Sequence, residues 1–188
     1  MSDFVIPRPS SGDIITLILD DHRWMEALMR DLRIGACDRA AARAALSATL
    51  IAHSEAEEKA VYGRLAAGAD EVGQEEVEHG HEEHAEGTAA MLELLECKGT
   101  DTQKFEDALE KVSAYLNHHF AEEEITILGP ALRDLPEKRR RDIGSAWLAA
   151  RSTLLDDDCG DIATVRALVE AARQEGVLDG KLPDQPED

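Results

Sequence analysis

The sequence predicts an all-α protein, an up-down-up-down antiparallel four-helix bundle with additional helices at its C-terminal end. Three observations carry that prediction. Apolar residues recur at three-or-four spacing over long stretches, which is the period of one helix face. Hydrophobic residues make up 43% of the 188 residues and aromatics only 4%, so the core is built mostly from Ala, Leu, Ile and Val, as in packed helices. Pro and Gly are sparse between Asp13 and Gly129, which argues against many short strands. The length suits one domain with a full hydrophobic core.

Residues 1–11 read as an extended leader, because Pro7 and Pro9 block a helix there. Asp13 is a plausible N-cap for a first helix to about Ile34, with Gly35 as its stop. Asp38 caps a second helix to about Ala67, before Gly68. A third runs from about Asp70 to Lys98, and a fourth from Asp101 or Thr102 to Gly129-Pro130. Four helices of roughly 20–30 residues with short connections imply antiparallel neighbours. The bundle thus covers residues 12–131. Residues 132–175 form a helical extension, with helices over 137–155 and 161–175 separated by Asp156-Asp157-Asp158-Cys159-Gly160. Residues 176–188 are polar and Pro-containing, and read as a disordered tail. The Lys138-Arg139-Arg140-Arg141 run reads as a solvated helix face rather than a docking patch.

The formal charge of −20 repels nucleic acid and anionic lipid, so neither is an expected partner. Cys37, Cys97 and Cys159 are odd in number and far apart, without a CxxC pair, which excludes a disulfide framework or a zinc ribbon. A reducing cytoplasm fits that cysteine usage. The N-terminus lacks the apolar core of a signal peptide, and the early run Ile14 to Leu19 is too short to span a bilayer.

The chemistry lies where histidines interrupt the apolar stripes. The first helix reads Ile15, Ile18, His22, Met25, Met29, Leu32, and the second Leu46, Leu50, His53, Glu57, Val61, Leu65. The third reads Val77, His81, His84, Thr88, Met91, Leu95, and the fourth Leu109, Val112, Leu116, His119, Glu123, Ile127. Each helix therefore points at least one imidazole inward. Taken singly, an inward histidine is more often just hydrogen-bonded in place; four helices doing so together is a different pattern. Glu57 and Glu123 each follow an inward histidine by four residues, one turn along the same face. An ionised carboxylate in an apolar stripe costs several kcal/mol unless compensated, and no Lys or Arg lies on these faces. Bound cations would remove that cost.

An internal repeat sharpens this. His22 is followed by His53 and Glu57, and His84 by His119 and Glu123, so each half supplies a lone His and a His-x-x-x-Glu pair. Two such halves suit two metals bridged by two glutamates. Imidazole with carboxylate suits iron, manganese or zinc, and no thiolate is placed for softer metals. A ferritin-like site needs Glu-x-x-His on two different helices, whereas Glu76/His79 and Glu78/His81 share the third.

Asp21-His22, His53-Ser-Glu-Ala-Glu57-Glu58, Glu83-His84 and His119-Phe-Ala-Glu-Glu123-Glu124 resemble the pattern of the hemerythrin/HHE cation-binding family over about residues 12–131. The resemblance implies two non-haem iron ions, oxo- or hydroxo-bridged, with His22, His53, His84 and His119 as terminal ligands and Glu57 and Glu123 as bridges. Hemerythrins usually carry a further ligand one turn before the third-helix histidine, where this chain has Gly80. His81 is expected to substitute as fifth histidine; otherwise that position is open or holds water. His79 and His118 are expected at the surface or supporting the ligands, with His118 and Glu122 as the fallback pair if the fourth helix is in another register. The expected small-molecule ligand is O2 or peroxide, used for oxygen or redox handling or sensing. The alternatives are a peroxide-decomposing di-iron enzyme, and a regulatory module responsive to iron or oxygen. The extension is expected to cover the bundle or to make a homodimer.

Overall fold

Asp13 ends a non-helical leader by accepting a hydrogen bond from the Ile15 N–H, and α1 runs Ile14–Ile34 until Gly35, at φ +67°, turns the chain out. The structure is a computed structural model that describes residues 4–69 and 72–178. Asp38 accepts from the Ala40 and Ala41 N–H groups at the start of α2, Arg39–Ala60. At Val61 the backbone departs to φ −116° and ψ −66°, and a short α3 follows, Tyr62–Ala66. The single helix predicted to Ala67 is therefore two, and the break carries the fully buried Tyr62.

Helix α4 spans Gln74–Leu95; Asp70, its predicted start, lies outside the described residues. Thr102 accepts from the Phe105 N–H and opens α5, Gln103–Glu123. The predicted stop at Gly129-Pro130 does not occur. The chain passes through a wide π turn, Glu124–Leu128, in which the Gly129 N–H reaches back to the Glu124 carbonyl, and continues as α6, Gly129–Asp134. Pro130 has no N–H to close an ordinary turn and its ring crowds the carbonyl four residues back, which a widened turn relieves. Two more helices follow, α7 (Glu137–Asp156) and α8 (Ile162–Glu175). Among the described residues there is no strand, and no helix is long and apolar enough to cross a membrane.

α1 packs against α2 and α5, α2 against α4, and α4 against α5, which closes a ring of four helices. Two apolar clusters fill the inside of this ring. One includes Ile14, Ile18, Val61, Leu65 and Ile127; the other includes Met25, Leu50, Met91, Val112 and Leu116. His22 lies between Ile18 and Met25, His53 and Glu57 between Leu50 and Val61, and His119 and Glu123 between Leu116 and Ile127. The polar residues thus form a belt sealed by hydrocarbon at both ends.

The C-terminal helices belong to the same interior. α7 packs on α2 and α1, and α8 on α4. Ile143, Trp147 and Leu148 join the first cluster, while Leu155, Val165 and Val169 meet Ile51, Ala52 and Leu92 in a third. Gly144 permits the close approach of α7 to the leader: a Cβ there would lie 2.4 Å from the Gly12 carbonyl oxygen. Of the basic run, Arg140 bonds to Asp13 and to the Leu135 carbonyl, and Arg141 pairs with Glu137 on its own helix. Residues 179–188 of the predicted tail lie outside the described residues.

Candidate metal centre

His22, His53, His84 and His119 come from α1, α2, α4 and α5, and all four rings are buried. Each turns Nδ1 away from the centre toward a carboxylate. His22 faces Glu124 at 3.2 Å, His84 faces Glu58 at 3.0 Å, and His119 faces Glu83 at 2.9 Å. His53 faces Asp21 at a longer 3.5 Å. An Nδ1–H donated outward leaves the Nε2 lone pair directed inward, the tautomer that a metal ligand needs. These carboxylates are neighbours in sequence of inward residues: Glu58 follows Glu57, Glu124 follows Glu123, and Asp21 and Glu83 precede His22 and His84. Each acid supports a histidine of a different helix, so the dipeptides cross-brace the ring.

Inside, the Nε2 atoms converge on two carboxylates. Glu57 Oε2 is 3.3 Å from both His53 Nε2 and His84 Nε2. Glu123 Oε2 is 3.2 Å from His22 Nε2 and 4.0 Å from His119 Nε2. The donors sort into two groups, His22 with His53 and Glu123, and His84 with His119 and Glu57. Each glutamate therefore touches a histidine from both groups, the placement of a bridge. Nitrogen and oxygen ligands sit about 2.0–2.2 Å from a transition-metal ion, which spaces them roughly 3–3.5 Å from one another, close to the separations here.

The hydrogen-bond inventory supports the same reading. Both oxygens of Glu57, Oε2 of Glu123, and Nε2 of His22 and of His53 are buried without a hydrogen-bond partner. Orphaned polar atoms of that kind cost about 1–3 kcal/mol each, more when charged. Burial, then the charge of Glu123, pushes the Glu57 carboxyl well above the usual range. Burial works upward on Glu123 too, but the His22 imidazole, 3.2 Å away, holds it low. Burial and the neighbouring imidazoles push His53 well below its ordinary value. Protein groups alone thus leave the two glutamates unequal; cations between them would let both ionise. These His/Glu groups have the donors to hold metal cations.

Residues 13–132 match the family described as hemerythrin HHE cation binding domain. The chain belongs to that family. No curated protein and no solved structure matched the chain.

In this hemerythrin domain a tyrosine packs beside Gly80. Tyr62 Oη lies 3.1 Å from His84 Nε2 and 3.3 Å from Glu123 Oε1, inside the centre. Its ring stacks on His84 at 5.5 Å. A Cβ on residue 80 would stand 3.2–3.3 Å from the ring and hydroxyl of Tyr62, so glycine is what admits the phenol. Burial and the charges of Glu123 and Glu57 raise the Tyr62 pKa well above 10, which keeps the phenol protonated. The expectation for His81 is not met. Its side chain is 38% exposed, its Nδ1 faces Glu58 at 3.2 Å, and its ring meets only the edge of Tyr62. The inward positions of α4 are Gly80, His84, Gly87 and Met91, with Val77, His81 and Leu95 only partly buried. His79 and His118 stand at the surface as expected, 49% and 71% exposed.

Asp21 and Arg151 are further residues of the hemerythrin centre that sequence reasoning missed. Arg151, from α7 and 1% exposed, donates to both oxygens of Asp21 at 2.7 and 2.9 Å. Asp21 in turn faces His53, and the edge of the Trp147 ring approaches His53 at 5.9 Å. The extension therefore packs against one of the four histidines and fixes the carboxylate beside it. Two cavities border the centre, one of about 710 Å³ reaching Glu58 and His84 and one of about 430 Å³ reaching His119 and Glu123.

Proposed function

We propose that this hemerythrin-family protein holds two non-haem iron ions between Glu57 and Glu123 and uses them on O2 or peroxide. The observation that carries the reading is the set of four buried histidines, three with Nδ1 hydrogen-bonded to a carboxylate and the fourth, His53, 3.5 Å from Asp21, with Nε2 atoms aimed at glutamate oxygens that are mostly without a hydrogen-bond partner. His22 and His53 would hold one ion, His84 and His119 the other, with Glu57 and Glu123 shared. In this reading α1, α2, α4 and α5 run up, down, up, down, which their closed ring of contacts and short connections support. Residues 12–131 form the bundle, and 132–175 complete its interior. Bound iron would supply the electrons that O2 or peroxide chemistry requires.

The protein's own part is positioning and proton supply. The carboxylates of Glu124, Asp21, Glu58 and Glu83 fix the imidazoles and raise their basicity. The apolar clusters above and below exclude bulk water from the belt. Tyr62 favours turnover of peroxide over simple O2 carriage. Its protonated hydroxyl sits beside His84 and Glu123, within reach of a small molecule bound at that end, and can donate a hydrogen bond or a proton there. Both cavities also reach the His84 and His119 half.

The test is reaction of the reduced, iron-loaded protein with air and, separately, with peroxide. The proposal expects only a short-lived coloured species with O2, and catalytic loss of peroxide with release of O2. Repeated reversible oxygenation, with peroxide loss no faster than free iron gives, would reject the turnover reading.

A further inference from the structure

Outside the buried belt, α4 and α5 bring together a second set of metal-type donors. His79 and Glu83 on α4, and His118 and Glu122 on α5, repeat the His-x-x-x-Glu spacing of the buried ligands. Both imidazole Nε2 atoms converge on the same two carboxylates. His79 Nε2 lies 3.8 Å from Glu83 Oε1 and 3.5 Å from Glu122 Oε1. His118 Nε2 lies 3.6 Å from Glu83 Oε1 and 3.2 Å from Glu122 Oε2. Ligands at about 2.1 Å from a tetrahedral ion are roughly 3.4 Å apart, close to these separations, and His79, Glu83 and Glu122 each place one donor atom within 4.8 Å of the other two, with His118 at the edge of that group.

Half-exposed histidines beside glutamates are common without a metal, and a second observation is what distinguishes this cluster. The Glu83 side chain is only 9% exposed, and its Oε1, aimed at the two imidazoles, is buried without a hydrogen-bond partner. Its other oxygen, Oε2, is already committed to His119 Nδ1 at 2.9 Å. One oxygen thus fixes the Glu83 carboxylate while the other faces the two nitrogen donors with no hydrogen bond of its own.

We propose that His79, Glu83 and Glu122 form an outer site for a single divalent transition-metal ion, with His118 beside it, and that this site feeds the buried centre. The cavity of about 430 Å³ is lined by His79, Glu83 and Glu122 and also by His119 and Glu123, so it joins the outer donors to the buried ones. Glu83 belongs to both, ligating outside with Oε1 and orienting His119 with Oε2. A −20 chain concentrates divalent cations at its surface, and this mouth is where histidines stand ready to retain them. The delivery role rests on the buried centre holding iron; the outer site itself does not.

The probe is zinc, titrated against a chromophoric chelator into full-length protein already loaded with iron and freed of excess metal. Wild type is expected to take one zinc beyond its buried metal. His79→Ala and His118→Ala change exposed residues and leave the interior packing alone. His79→Ala should weaken the extra zinc by more than the about 10- to 100-fold that loss of a mere supporting residue costs, and His118→Ala by less, with the iron spectrum unchanged in both. No extra zinc in wild type, or wild-type zinc affinity in His79→Ala, would overturn the outer site. The second readout is the time course of iron retained after gel filtration, starting from metal-free protein and ferrous iron. The variants should load several-fold more slowly to the same final content. Equal loading rates alongside lost zinc binding would overturn the delivery role. If the buried centre holds no iron at all, that is seen before zinc is added, and the zinc comparison between wild type and variants still decides the outer site.

Discussion

Replacing Arg151 by Met should destabilise the whole protein, although residue 151 lies far along the chain from the histidines. The guanidinium is 1% exposed and makes three hydrogen bonds of 2.7–2.9 Å, two to Asp21 and one to the Pro7 carbonyl. Met fills similar volume but leaves Asp21 buried beside His53 without its counter-charge. Removing one partner of a buried ion pair costs about 3–5 kcal/mol. For a chain of this length that corresponds to a fall of about 6–20 °C in Tm. Urea or thermal unfolding at a fixed metal concentration reads the effect, since metal binding itself shifts apparent stability. The double variant Asp21→Asn with Arg151→Met should recover a substantial part of the loss, because the uncompensated charge is gone. A single variant within about 1 kcal/mol of wild type would refute the argument that α7 supplies a needed charge to the interior. So would a double variant less stable than the single one.

Tyr62→Phe should fold and retain metal, because only a hydroxyl is removed, but peroxide turnover should fall on the order of the 10²-fold typical of a lost proton donor; an unchanged rate would remove Tyr62 from the chemistry. His53→Ala or Glu57→Ala should lose metal and destabilise the fold, whereas His81→Ala should leave metal content and spectrum unchanged; metal analysis of purified variants separates the two. Gly144→Ala should cost about 1–3 kcal/mol, because its Cβ would lie 2.4 Å from the Gly12 carbonyl and the leader must move; equilibrium unfolding measures it.

The sequence was most legible where ligands sit among large aliphatic side chains. His22, His53, Glu57, His119 and Glu123 interrupt stripes of Ile, Leu, Val and Met, and the structure buries all five. The third helix was harder because its inner face carries Gly80 and Gly87, which add nothing to an apolar count. The stripe drawn through Val77, His81 and Leu95 therefore falls one position off, and His81 with it. Tyr62 was hidden for a different reason: the single Gly63 beside it reads as an isolated glycine inside one continuing helix, since one such residue does not by itself end a helix. The Asp21–Arg151 pair spans 130 positions, and no local pattern joins two such residues. The supporting acids did leave a signal, since Glu58, Glu83 and Glu124 each adjoin an inward residue in the sequence.

The most direct test of the account is metal analysis of protein purified from iron-supplemented cells, together with its near-ultraviolet spectrum. Two buried donor groups sharing two glutamates predict two irons per chain and an oxo-bridge absorption band. One zinc per chain, with no such band, would contradict it.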